Sequence, residues 1–134
     1  MANLLKIEGI GAKYAKTLAK SGITTTQGLL KKGTTPKGRK EIAESTSISS
    51  KLILEWVNLA DLFRIKGVGE EYSDLLEEAG VDTVPELARR KPENLYKKML
   101  EVNKAKKLVR QVPGESQVKD WVAQAKKLPR IIKY

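Results

Sequence analysis

The stretch that decides the fold is residues 4–18, Leu-Leu-Lys-Ile-Glu-Gly-Ile-Gly-Ala-Lys-Tyr-Ala-Lys-Thr-Leu. It returns at residues 62–76 as Leu-Phe-Arg-Ile-Lys-Gly-Val-Gly-Glu-Glu-Tyr-Ser-Asp-Leu-Leu. An offset of 58 without a gap holds from residue 4 to residue 30, and nine residue types are identical at that offset. The chain is therefore a tandem repeat.

Each copy is centred on two glycines that flank one apolar residue. We call residues 9–11 (Gly-Ile-Gly) the first turn and residues 67–69 (Gly-Val-Gly) the second turn. Glycine reaches backbone angles that strain other residues, so the chain can reverse tightly there. A helical pattern begins after each turn, and the first N–H groups of a helix have no partner inside it. Together with the helix dipole, those groups form a ready binding site for an anion.

The residues around each turn resemble a known family. The pattern apolar-x-Gly-apolar-Gly-x-x-aromatic, followed four residues later by leucine, resembles the helix-hairpin-helix motif. Two such motifs about sixty residues apart resemble the tandem helix-hairpin-helix domains of DNA repair and replication proteins. Along its whole length the chain is similar to an uncharacterised bacterial family classed as a domain of unknown function. The resemblance implies binding of DNA phosphates through backbone amides, without reading of sequence, and it transfers that role to Gly9, Gly11 and Lys13.

Composition excludes several classes of protein. The 134 residues are 40% hydrophobic and 31% charged, which is a globular composition. No apolar run approaches the roughly 20 residues that span a bilayer, and the N-terminus has no signal-peptide pattern. We therefore expect a cytoplasmic protein without a membrane partner.

The chain contains no Cys and no His. This removes disulfides, thiolate nucleophiles, the usual zinc and iron–sulfur ligands, and the side chain best suited to proton transfer near neutral pH. Helix-hairpin-helix glycosylases resemble the chain in the turn, but the glycine/proline-rich loop and following aspartate of those enzymes are missing here, and Asp74 and Asp82 have no convincing nucleophilic partner. We expect no catalysis, no metal and no cofactor.

Capping residues and glycines predict an all-α chain. We expect helices at 12–20, from a Thr25 cap to 32, from a Thr35 cap to about 45, from a Ser47 or Ser49 cap to 62, at 70–78, from a Thr83 capping box, from Pro92, and at 116–128. The helix from Pro92 is predicted to bend or restart near Asn103 and to continue through Val112, because apolar spacing persists there.

The last helix repeats an earlier one. Trp121-Val122 of helix 116–128 matches Trp56-Val57 of the helix that leads into the second turn. The first turn has no full helix before it, so we expect helix 116–128 to pack beside helix 12–20 and complete the first repeat, with the two repeats related by a pseudo-two-fold axis. This gives a first repeat at 1–62 and a second repeat with basic C-terminal helices at 63–134, together forming one compact domain.

The two copies of the repeat differ in the sign of their charged residues. The net charge is +10, from 26 basic and 16 acidic residues, and such an excess favours polyanionic partners. Four charged positions nevertheless invert between the copies: Glu8/Lys66, Lys13/Glu71, Lys16/Asp74 and Lys20/Glu78. The first turn is followed by basic residues and the second by acidic ones, including Glu70.

The candidate nucleic-acid contacts are the two glycines of the first turn and basic residues that follow them or lie near the C-terminus. They are Gly9, Gly11, Lys13, Lys16, Lys20, Lys97, Lys98, Lys104, Lys106, Lys107 and Arg110. Lys13, Lys16 and Lys20 fall on one helix face. The later residues either line a groove for a phosphate backbone or solvate alternate faces of amphipathic helices.

Two functions compete. The first is a small, non-catalytic, sequence-independent nucleic-acid-binding module that contacts the phosphate backbone, with DNA a more natural partner than RNA. The second is an interaction module, in which the basic first turn of one copy meets the acidic second turn of another or an acidic partner protein. In that case Glu70, Glu71, Asp74 and Glu78 form the protein-interaction surface.

Overall fold

A computed structural model describes residues 3–134, and all regular structure in that range is helical apart from one isolated antiparallel bridge between Asn3 and Thr25. The predicted all-α class is confirmed. A short 3-10 turn at Leu4–Lys6 precedes the helices, which are α1 (Ala12–Lys20), α2 (Thr26–Lys32), α3 (Pro36–Thr46), α4 (Ser50–Leu62), α5 (Glu70–Glu78), α6 (Val84–Ala88), α7 (Pro92–Lys106) and α8 (Glu115–Lys127). None of them is long and apolar enough to cross a membrane.

Side-chain caps start three of these helices where the sequence predicts them. The Thr25 hydroxyl accepts a hydrogen bond from the Gly28 N–H at 3.0 Å, and the Thr35 hydroxyl accepts one from the Gly38 N–H at 3.0 Å. Thr83 accepts from the Glu86 N–H at 3.4 Å, but its predicted capping box is incomplete. The Glu86 carboxylate accepts from Arg90 Nε at 3.1 Å instead of returning to the cap.

The chain divides into two compact units. The first unit ends at Asp61 and also contains Ile131–Tyr134, and the second unit is Leu62–Arg130. Each has its own apolar core. Side chains with at most 2% exposure in the first unit include Leu4, Ile7, Leu18, Leu29, Ile53, Trp56 and Val57. Those in the second unit include Ile65, Leu75, Leu76, Val81, Leu87, Met99, Val118 and Trp121.

The position of α8 corrects one prediction. This helix belongs to the second unit, where it packs on α6 and α7. Its Trp121 contacts the second turn, and the first turn is seated instead on Trp56 of α4. The prediction that the C-terminal helix completes the first repeat was therefore wrong. Each unit begins with its glycine turn and ends with the tryptophan helix that returns to that turn.

The end of α7 corrects a second prediction. Lys107 adopts a left-handed backbone conformation with φ of 52°, which stops the helix after Lys106. The Asn103 side chain then binds the Val109 backbone twice, accepting from its N–H at 2.9 Å and donating to its C=O at 3.2 Å. Residues 107–114 are consequently a fixed non-helical segment, although their apolar spacing resembles a helix.

A buried arginine holds the C-terminal residues on the first unit. Arg39 is 7% exposed, and its guanidinium donates to the backbone carbonyls of Gly33 and Lys133 at 2.8 and 2.9 Å. The Lys133 N–H in turn donates to the Thr34 carbonyl at 2.7 Å. The Tyr134 hydroxyl hydrogen-bonds the Asn58 side chain at 2.8 Å. These bonds explain why Ile131–Tyr134 belongs to the first unit.

Candidate nucleic-acid interface

The first turn has the backbone geometry that its glycines predict. Gly9 has φ of +93°, a conformation that other residues rarely adopt. The Ile10 N–H donates to the Ile7 carbonyl at 3.1 Å, and the Ile10 side chain is 3% exposed. This buried isoleucine fixes the turn while the two glycines face solvent.

Trp56 supports the first turn from below. A Cβ added to Gly9 would lie 3.3 Å from Trp56 Nε1, so the turn backbone rests against the indole edge. The Tyr14 ring also packs on Trp56, with centroids 5.0 Å apart and ring planes tilted by 58°. One buried indole therefore positions both the glycine turn and an aromatic side chain of α1.

The N-terminus of α1 is open to an anion. Gly11 is the N-cap residue and supplies no side-chain hydrogen bond, so the first N–H groups of α1 have no intrahelical or side-chain cap. No acidic residue lies at the N-terminal end of this helix. The backbone of Glu8 also has no hydrogen-bond partner within residues 3–134. Backbone donors and the positive end of the helix dipole thus point to solvent together.

Three exposed lysines lie along α1, from Lys13 near its N-terminus to Lys20 at its C-terminus. Lys13, Lys16 and Lys20 follow one another at spacings of three and four, so they share one face of α1. That face lies opposite the buried Leu18. None of the three forms an ion pair with a carboxylate in the described part of the chain. Their charges are therefore available to an external anion.

The second turn repeats this geometry closely. Gly67 has φ of +97°, a Cβ on it would lie 3.0 Å from Trp121 Nε1, and the Val68 N–H donates to the Ile65 carbonyl at 3.2 Å. The Tyr72 and Trp121 rings have centroids 5.3 Å apart and a tilt of 53°. The internal packing of the two turns is thus equivalent residue by residue.

One side-chain amide binds the backbone beside the second turn, and no such group within residues 3–134 binds the backbone beside the first turn. The Gln124 side chain accepts from the Lys66 N–H at 2.9 Å and donates to the Lys66 carbonyl at 3.1 Å. The buried Leu59 occupies the matching position in the first unit, so no such amide clamps Glu8. Backbone groups that face solvent beside the first turn are already hydrogen-bonded beside the second.

The helix after the second turn is acidic. Five of the nine residues of α5 are Asp or Glu, and none is basic. Glu70 and Glu71 are the first two residues of α5, where they complement the helix dipole and repel a phosphate. Glu78 is paired with Lys106 of α7 at 2.6 Å. The predicted protein-interaction residues are therefore on one helix, but Glu78 already has a partner within its own unit.

Three carboxylates of α5 approach one another. Oxygens of Asp74, Glu77 and Glu78 lie within 4.8 Å of each other, a separation that a metal ion can bridge. The ammonium group of Lys106 occupies one side of this cluster through its bond to Glu78. The cluster is exposed or half-buried, and its positive neighbour is a side chain of the same unit.

The basic residues of α7 do not form a single face. Lys97 and Lys104 are seven residues apart and point away from the buried Leu95 and Met99. Lys106 is about two and a half helical turns beyond Lys97, so it projects to the opposite side, toward α5. Lys106 therefore does not share a helix face with Lys97 and Lys104.

The remaining predicted contacts lie on and after that helix. Lys98 is exposed on the flank of α7. Lys107 and Arg110 are exposed in the non-helical segment 107–114. All the candidate nucleic-acid residues are thus accessible to solvent, and one of them, Lys106, is also ion-paired.

Tyr14 is a candidate residue that the sequence pattern did not reveal. Its place on the apolar side of α1 predicts a core residue, yet its side chain is 38% exposed. Its counterpart Tyr72 is less exposed and donates its hydroxyl to the Gln111 carbonyl at 3.1 Å. The feature that distinguishes the two tyrosines is the length of the segment before each tryptophan helix. This segment has three residues in the first unit and eight in the second, and only the longer one reaches the tyrosine.

Comparison with known proteins gives one family. The family model described as "Domain of unknown function (DUF4332)" matches residues 8–128, which cover both turns and both tryptophan helices. No curated protein and no solved structure matches the chain.

Proposed function

The chain belongs to the DUF4332 family, and we propose that it is a small, non-catalytic module that binds a nucleic-acid backbone, independently of sequence, through its first turn and α1. One observation carries the proposal: the uncapped N-terminus of α1 and the unpaired Lys13, Lys16 and Lys20 belong to the same short helix, with Lys13 beside the open amides and the other two lysines further along one face. Amide donors at a helix end position a phosphate, and lysines on the same helix add affinity that does not depend on base identity.

The proposal includes the finer architecture. We infer that each glycine turn with its flanking helices is a helix-hairpin-helix motif and that the two motifs are related by a pseudo-two-fold axis. The positive φ of Gly9 and Gly67 and the helix that begins directly after each turn support this inference. Only the first motif is proposed to hold phosphate, because Glu70 and Glu71 would repel it at the second.

Salt-dependent binding to duplex DNA tests the proposal. Fluorescence anisotropy of a labelled duplex of about 20 base pairs would be measured at about 50 and 200 mM salt. We expect micromolar binding that weakens steeply as salt rises. The triple variant Lys13→Glu, Lys16→Glu, Lys20→Glu should bind at least tenfold more weakly, and the slope of log K against log salt should flatten by about 3 because three phosphate contacts are lost.

A charge-matched variant serves as the control. Lys31, Lys37 and Lys51 are exposed lysines of the same unit that lie outside α1. Changing these three to glutamate alters the net charge by the same amount but leaves α1 unaltered. This variant should therefore lose much less affinity for DNA than the α1 variant. Equal losses in the two triple variants would mean that overall charge, and not the first turn, attracts DNA.

A second candidate function is self-assembly. It is favoured by the opposite charges of α1 and α5, which would attract each other between copies. Sedimentation velocity separates the two functions. Self-association that disappears in Lys13→Glu and returns in Lys13→Glu with Glu71→Lys would support assembly, and a monomer at all concentrations would exclude it.

A further inference from the structure

The two tyrosines on the tryptophans differ in what covers them. In the second unit, the Tyr72 hydroxyl donates to the Gln111 carbonyl of segment 107–114 at 3.1 Å. Val109 in this segment is 6% exposed, and the Asn103 side chain fixes it in place. In the first unit α3 and α4 are joined by only three residues, and the Tyr14 hydroxyl has no hydrogen-bond partner within residues 3–134. Of the two equivalent tyrosines, Tyr72 is therefore tied to the protein by its hydroxyl and is half-buried, while Tyr14 is more exposed and its hydroxyl is unbound within residues 3–134.

The open ring lies beside the proposed phosphate site. Tyr14 is the third residue of α1, and side chains on a helix lean toward its N-terminus. The Tyr14 ring and the first turn also contact the same Trp56 indole. A phosphate on the α1 amides would therefore place its own nucleotide close to the Tyr14 ring.

We propose that Tyr14 is a stacking platform for an unpaired base and that the preferred ligand of the first turn is single-stranded nucleic acid. This inference rests on the proposed function, because the phosphate contact brings the base to the ring. Bases in a duplex already stack on their neighbours, so Tyr14 cannot use their faces unless the base is unpaired or flipped out. Stacking on an aromatic side chain tolerates any base, in keeping with backbone contacts that do not read sequence.

The buried Trp56 makes Tyr14 a prepared platform. Trp56 is 2% exposed and holds the inner side of the tyrosine ring at a centroid distance of 5.0 Å. A ring fixed in this way loses little conformational freedom when a base stacks on it. Lys13, the residue before Tyr14, is exposed and has no ion-pair partner in the described part of the chain, so a positive charge lies next to the ring in sequence.

Paired oligonucleotides test the inference. Anisotropy titrations at about 50 mM salt would compare a 20-nucleotide single strand, its duplex, and a strand of about the same length with abasic sites in place of its central bases. We expect the single strand to bind more tightly than the duplex, and the abasic strand to lose most of that difference. This comparison uses the unaltered protein, so it does not depend on whether any variant folds.

Variants of the two tyrosines locate the effect. Tyr14→Leu keeps an apolar cover on Trp56 and should weaken single-strand binding by about 5- to 150-fold, the range expected for one stacked base, while duplex binding changes by less than about twofold. Tyr14→Phe keeps the ring and should retain single-strand affinity. Tyr72→Leu makes the same change in the covered ring and should leave both affinities unaltered.

The outcomes separate this inference from the proposed function. Binding to both ligands that depends on Lys13 but shows no single-strand preference and no effect of Tyr14→Leu would overturn the stacking role and leave backbone binding in place. Equal losses on both ligands in Tyr14→Leu, or the same losses in Tyr72→Leu, would show a structural role and also overturn it. If neither ligand binds, both the proposed function and the stacking role fail.

Discussion

Helices α1 and α5 occupy equivalent places in their units and differ in almost every exposed side chain. Each follows a glycine turn, begins at an uncapped glycine and places a tyrosine on a buried tryptophan. The exposed charged residues of α1 are the three lysines, whereas those of α5 are Glu70, Glu71 and Glu78, and Asp74 and Glu77 of the same helix are half-buried. Packing therefore restricts one side of the helix, while the other is free to take either sign of charge.

The features that differ between the two units are more informative about function than the features they share. The shared contacts explain how a turn is held, and they are the same whether or not the turn binds anything. Unshared features lie at the surface: the lysines of α1, the hydrogen bonds from Gln124 to the backbone beside the second turn, and the bond from Tyr72 to segment 107–114. All three make the first turn more accessible to an anionic ligand than the second.

The largest predicted effect tests the shared packing. Trp56→Ala and Trp121→Ala each remove a buried indole that supports a turn and a tyrosine. We expect each change to lower the free energy of unfolding by about 3–5 kcal/mol, as for other buried aromatic residues. Urea denaturation monitored by circular dichroism measures both variants. Leu5→Ala, at a side chain that is 47% exposed, is the control and should cost far less.

Similar losses in the two tryptophan variants would confirm that the units are built alike. A loss below about 1 kcal/mol in either variant would contradict the packing described here, because a buried cavity of this size is always costly. Such a result would break the comparison between α1 and α5 at its structural level.

A smaller effect is predicted for the glycines that reverse the chain. Gly9→Ala and Gly67→Ala place a Cβ where φ is +93° and +97°, which strains an L-residue by about 1–3 kcal/mol. The added atom would also meet the indole nitrogen at 3.3 Å in the first unit and 3.0 Å in the second. We therefore expect the larger loss of stability, again by urea denaturation, in Gly67→Ala.

The other glycine of each turn provides the matched control. Gly11 and Gly69 have φ of −82° and −112°, and an added Cβ on either would meet no atom within 4 Å. Replacement by alanine affects only the N-cap position, which should cost less than about 1 kcal/mol. Equal losses at Gly9 and Gly11 would show that the positive φ is not what these turns require.

Most of the local structure could be predicted from the sequence. Thr25, Thr35 and the glycines at 22, 33 and 80 mark helix ends chemically, so α1, α2 and α5 begin and end where the pattern predicts. The end of α7 could not be predicted in this way. It depends on the Asn103 side chain reaching the Val109 backbone, a contact that competes with an apolar spacing that is itself helical.

The partner of α8 could not be predicted because a repeat has no marked beginning. The match between Trp56 and Trp121 fits a unit that starts with the tryptophan helix as well as one that ends with it. Only contacts decide, and Trp121 contacts Gly67 and Tyr72 of its own unit. The exposure of Tyr14 could not be predicted for the same reason. The segment before Trp56 is seen to be shorter than the segment before Trp121 only when the two tryptophan helices are aligned as the ends of their units.

The smallest predicted effect tests the difference in charge. Lys13→Glu puts an acid in the first turn of α1, where it complements the helix dipole, and Glu71→Lys puts a base at the same position of α5. Lys and Glu have nearly equal helix propensity, so the exchange isolates the charge. We expect Lys13→Glu to raise the free energy of unfolding by about 0.3–1 kcal/mol and Glu71→Lys to lower it by a similar amount.

The sign of these two changes matters more than their size. Urea denaturation in low salt should give opposite shifts, which shrink at about 1 M salt because the Debye length falls to about 3 Å. Lys13→Gln and Glu71→Gln should give about half of each effect. If Lys13→Glu stabilises the fold while it weakens DNA binding, Lys13 is kept at a cost in stability, as expected for a ligand-binding residue. If it destabilises the fold, the lysine has a structural contact, and α1 and α5 differ in packing as well as in charge.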